Sequence, residues 1–72
     1  MTTMDMRPGW DVFTSDGDRL GTIKEFTPDR LKIDAPMRPD FWVPMSTVAF
    51  SGSSRVELAF PKDEVDDYRL ND

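Results

Sequence analysis

Asp16-Gly17 separates two runs rich in aromatic and β-branched residues, 10–14 and 19–26, and no other feature constrains the fold as tightly. Glycine accepts the positive φ that a tight β-turn requires, so an Asp-Gly pair between apolar runs reads as a hairpin. Ser15 and Asp18 flank the pair with further turn formers. In the first run Trp10, Val12 and Thr14 share one face, and Asp11 and Phe13 the other. In the second, Leu20 and Thr22 point one way, Ile23 the other, and Phe26 returns to the Leu20 side. The parity breaks beside Gly21, and a glycine inside a strand marks a bulge, a bend or a close backbone approach.

The rest of the chain is punctuated in the same way. Thr27-Pro28-Asp29-Arg30 reads as a second turn, with proline at its favoured second position. Leu31 and Ile33 then face inward, with Lys32 and Asp34 toward water. Pro36 and Pro39 confine residues 35–40 to a surface loop. Phe41 and Val43 face the core and Trp42 the opposite side. Residues 45–50 read as a helical turn leading into a strand, with Val48 and Phe50 on the core face. Ser51-Gly52-Ser53-Ser54 is a turn. Val56, Leu58 and Phe60 line one face of the strand that follows. Pro61 and the acids after it suit the start of a short helix, in which Val65 and Tyr68 share a face. This segment is expected to fold back as a lid over an open end of the sheet.

Five or six short strands and one short C-terminal helix predict an all-β fold, a small, mostly antiparallel barrel. Its interior is expected to be filled by Val12, Leu20, Ile33, Val43, Val56 and Leu58. Closure would remove exposed strand edges. No strand alternates with a long helix, which excludes a doubly wound α/β fold. Seventy-two residues make one domain, expected over residues 9–68, with a flexible lead-in at 1–8 and a frayed tail at 69–72.

Composition narrows the chemistry. Cysteine is absent, so no disulfide staples the fold. Histidine is absent too, which removes the usual near-neutral base and the commonest metal ligand. No apolar run approaches the ~20 residues of a membrane helix, so no membrane insertion is expected. The first residues lack a signal-peptide pattern, and the expected location is cytoplasmic. The net charge is −5, which repels duplex nucleic acid. Residues 1–60 carry nine acids and seven bases and residues 61–72 five acids and two bases, so the acidity is concentrated at the C-terminal end.

The succession from Trp10 through Asp16-Gly17-Asp18-Arg19-Leu20-Gly21 to Phe26 resembles the opening of a PRC-barrel domain. Leu31–Asp34, Phe41–Pro44, Val56-Glu57-Leu58 and Pro61–Val65 are similar to the segments that follow in small stand-alone members. The resemblance spans about residues 9–68 and implies a compact β-barrel used as an adaptor. Relatives act in a photosynthetic membrane complex and in assembly of the small ribosomal subunit.

The candidate sites follow from residue type. Asp16 and Asp18 offer oxygens to a cation, but the fuller framework of a calcium loop is missing and turn formation explains them. Phe13, Met37, Trp42 and Met45 are candidates for a protein interface, because aromatic and Met side chains are favoured where a partner buries them. Asp63, Glu64, Asp66 and Asp67 form an acidic cluster that could face a basic partner or only solubilise a short helix. The leading expectation is a protein-interaction or structural adaptor module that binds a protein partner or a second copy and needs no cofactor. Arg19, Lys24, Lys32 and Arg55 carry the alternative of single-stranded nucleic-acid binding, provided they gather on one face. A carboxylate-dependent enzyme is a further alternative. It requires a concave site, and with no histidine to activate a nucleophile no small-molecule substrate is expected.

Overall fold

The Asp16-Gly17 signal becomes the first hairpin. Strand β1 (Asp11–Phe13) runs antiparallel to β2 (Arg19–Phe26). Gly17 sits at φ +89°, and its N–H donates to the Thr14 carbonyl at 3.0 Å. The computed structural model describes residues 6–36 and 38–70. In it β2 pairs with β3 (Arg30–Asp34) and β3 with β4 (Phe41–Pro44), both antiparallel. The 3-10 turn Met45–Thr47 leads into β5 (Val48–Gly52), which pairs antiparallel with β6 (Arg55–Leu58). A parallel pairing of β1 with β6 joins the two halves, giving one six-stranded sheet in the order β4-β3-β2-β1-β6-β5. A second 3-10 turn (Lys62–Glu64) and the single-turn helix α1 (Val65–Tyr68) follow.

The expected barrel does not form. Closure requires ladder hydrogen bonds between the first and last strands of the sheet, and β4 and β5 share none. The chain's own C-terminal segment meets the free edge of β4 instead. Leu70 donates its N–H to the Trp42 carbonyl at 2.7 Å, forming an isolated antiparallel bridge. The fold is therefore an open, mostly antiparallel sheet with one short helix.

The sheet is nonetheless bent. β4 and β5 are its two edges, yet only the three residues of the Met45–Thr47 turn separate them in the chain. Five strand spacings of a flat sheet amount to about 24 Å, too far for so short a link. Three register shifts supply the bending, at Val12/Phe13, Ile23/Glu25 and Val48/Phe50. Gly21 marks where the chain crowds most. A Cβ there would lie 2.5 Å from the Asp34 carbonyl oxygen and 2.9 Å from the Ala35 Cα. Of the alternatives open for this strand glycine, two are observed together, a close backbone approach and a bulge in which its neighbour Leu20 is the extra residue.

The concave face carries the core. Val12, Leu31, Ile33, Val43 and Val56 are fully buried, and all six residues expected to fill the interior are buried. Met6 and Ala35 join them from the lead-in and the proline loop. The C-terminal segment docks on this core. Phe60 and Val65 are buried in it, and the Tyr68 ring stacks on Phe60 with centroids 4.5 Å apart. Phe50 departs from the expected pattern. Ala49 is the extra residue of a bulge, so Val48 opposes Leu58 on the core face while Phe50 opposes Glu57 on the outer face, 48% exposed.

Replacing Gly21 with alanine drives a methyl into backbone that has no room to yield. The G21A variant is expected to lose about 2 kcal/mol of stability, read as a lower urea midpoint at unchanged slope. Wild-type stability in G21A would contradict the close approach.

Candidate functional site

The outer face of β1, β6 and β5 brings together side chains far apart in sequence. Phe13 of β1 and Phe50 of β5 are both in register with Glu57 of β6, in one row across three strands. Two strand spacings separate the aromatic positions by about 10 Å. Arg55, two residues before Glu57, points to the same side. Its guanidinium lies 5.0 Å from the Phe13 ring centroid, and it donates to the Glu57 carboxylate. Phe50, Ser53, Arg55 and Glu57 line an open depression of about 340 Å³. A Cβ on Gly52 would sit 3.5 Å from Phe50 Cζ, so the Phe50 ring lies across bare backbone.

The rim of this depression is strained. The β5–β6 hairpin turns through Ser53 and Ser54, at φ 55° and 65°. Two-residue hairpin turns with both residues left-handed favour Asn-Gly, because a Cβ in that region costs about 1–2 kcal/mol per residue. Neither serine relieves that cost in the way glycine would.

The expected interface residues are dispersed. Phe13 and Trp42 are each half-buried on the outer face, but β2 and β3 lie between their strands, a separation of about 14 Å. The Trp42 ring is covered by the Arg30 guanidinium at 4.5 Å and the Lys32 ammonium at 5.6 Å. Met45 packs against the core from the 3-10 turn. Met37 lies outside the described residues. The acidic residues are exposed on the C-terminal segment, Asp63 and Glu64 in the second 3-10 turn and Asp66 and Asp67 in α1. Asp66 pairs with Arg38 at 3.6 Å. Among the described residues no group of three carboxylates is placed to hold a metal ion, and no helix is long and apolar enough to cross a membrane.

The four bases nominated for nucleic acid are each held by a carboxylate. Arg19 meets Asp11 at 3.1 Å, Lys24 meets Asp40 at 3.6 Å, Lys32 meets Glu25 at 3.7 Å, and Arg55 meets Glu57. These pairs are exposed or, at Asp40 and Lys32, partly exposed, so each contributes little to stability. Together they neutralise the outer face. The Asp16–Asp18 turn is likewise occupied by its own chain. The buried Thr14 hydroxyl donates to the Asp16 carboxylate and holds that group below its ordinary value of 3.8.

Phe50 and Glu57 are the residues that sequence reasoning missed, while Arg55 entered only as a base for the nucleic-acid alternative. Phe50 was expected in the core, and i, i+2 spacing holds no sign of the extra residue at Ala49. Glu57 lies between Val56 and Leu58, which marks it as outward-facing and nothing more.

No protein-family model matches the chain, and neither a curated protein nor a solved structure does. With no such match and an open sheet, the PRC-barrel resemblance does not hold. The segments that suggested it are hairpin and strand patterns that any small antiparallel sheet uses.

The double variant S53N/S54G puts tolerant residues in the left-handed positions. It is expected to raise stability by about 1 kcal/mol, measured by urea denaturation, and a loss of stability would contradict the strained turn. The Thr14–Asp16 bond makes a second forecast. A carboxyl whose folded pKa is depressed adds stability that is fully present above its unfolded value, near 3.8, and lost as pH falls through the lower folded value. Thr14→Val removes the donor, so the fall in urea midpoint between about pH 5 and pH 2 becomes shallower than in wild type. An unchanged acid limb would count against that linkage.

Proposed function

We propose that this domain is a protein-interaction module whose working surface is the outer face of β1, β6 and β5, with Phe50 as its anchor. The observation that carries the reading is the half-exposed Phe50 ring beside an open depression. Aromatic side chains at the centre of a patch dominate binding energy, while surrounding polar groups exclude water. Arg55, Glu57 and Ser53 form such a surround. The strained Ser53-Ser54 turn supports the same reading, since backbone strain concentrates where a surface is used. The pairing of Arg19, Lys24, Lys32 and Arg55 with carboxylates favours a protein over a nucleic acid, which needs a positive groove. The shallow depression presents its Arg and Glu already bonded to each other, which suits recognition better than proton transfer.

Site-specific photo-crosslinking in the native cell tests this. Benzoylphenylalanine at position 50 is expected to give discrete protein adducts, and the same probe at exposed Asp29, in the β2–β3 turn, none of them. Identical adduct patterns from both positions, or none from position 50, would refute the assignment of this face.

A further inference from the structure

We infer that the partner seated on this face is a second copy of the chain, with Phe50 of each copy filling the depression of the other. The inference rests on the interaction reading above and goes further by naming the occupant. Charge is the first ground. Arg55 and Glu57 put one cation and one anion on adjacent outward positions of β6. A two-fold rotation about an axis through the patch sets Arg55 of one copy against Glu57 of the other, and the reverse contact follows by symmetry. A surface that is its own electrostatic complement fits a copy of itself.

The second ground is neutrality. The chain carries −5 overall, yet on this face Arg55 offsets Glu57, and Arg19 at the start of the neighbouring β2 offsets Asp11. A basic partner would be steered toward Asp63, Glu64, Asp66 and Asp67 on the C-terminal segment. An acidic partner would have to displace Glu57 from Arg55 and leave that carboxylate unpaired, whereas a second copy exchanges the pair within each chain for two across the axis. Shape is the third ground. The patch presents a half-exposed ring in the wall of an open depression, so a two-fold axis through it can set each ring against the depression of the other copy. The contact is apolar at its centre and the copies repel through their net charge, so added salt strengthens association by screening that repulsion.

Sedimentation equilibrium of the purified full chain tests the inference. Wild type is expected to dimerise with a dissociation constant on the order of 100 µM, as befits a small interface, and to tighten as salt is raised. Phe50→Lys keeps a favourable cross-strand partner for Glu57 and is expected to weaken the dimer at least tenfold with an unchanged circular dichroism spectrum. Arg55→Glu is expected to weaken it as well, and R55E/E57R to restore it. A wild-type chain that stays at 8.3 kDa up to millimolar concentration, or a dimer indifferent to Phe50→Lys, overturns the inference. The photo-crosslink separates the two levels of reading. An adduct of twice the chain mass supports self-association. A position-50 adduct to another protein, with purified chain monomeric, overturns self-association and leaves the interaction module standing.

Discussion

The close approach of Gly21 to the backbone of Asp34 and Ala35 is the constraint on which the rest of this fold depends. A single-turn helix and a short docked segment offer little cover for a six-stranded sheet. The sheet must therefore bury much of its apolar face against itself, which it can do only by bending. Bending brings strand ends together until a side chain no longer fits between them, and glycine is what remains. The three register shifts distribute the curvature. The edges still do not join. Leu70 caps one of them by bonding to Trp42, and the result is an open sheet around a filled core.

The same shifts decide what the outer face displays. Each extra residue changes strand parity, so residues two apart end on opposite faces. At Ala49 this sends Phe50 outward, beside Glu57 and Arg55. Elsewhere on that face the charges find local partners and the Trp42 ring lies beneath two cations. Phe50 is left as a large apolar group with polar neighbours and an open depression beside it. A bulge that helps the core pack thus also creates the surface proposed for binding.

Much of the architecture was readable from local chemistry. Asp16-Gly17 and the two-residue period of residues 31–34, 41–43 and 55–58 located strands and most of the core. The helical turn before β5 and the docked Val65 followed from spacing. Three things were not readable. A parity break marks the register shift beside Gly21, but nothing in residues 48–50 marks the one at Ala49, so the alternation puts Phe50 inward. Closure depends on long-range pairing, and no local signal tells that Leu70 meets the edge of β4. Met6 lies in a mostly polar, turn-prone stretch that reads as a lead-in, so the sequence does not announce its burial. The candidate interface suffered most, because it requires knowing which outward residues lie side by side. Glu57 joins Phe13 to Phe50 only through pairings with β1 and β5.

The direction of the Phe50 ring is the point where fold and proposed function meet, and solvent paramagnetic relaxation of the aromatic protons measures it. In dilute protein, the Phe50 ring protons should relax strongly with a soluble paramagnetic agent, while those of buried Phe41 and Phe60 stay shielded. A Phe50 ring as shielded as Phe60 would mean that β5 pairs without its bulge, and both the outer-face site and the dimer built on it would fall.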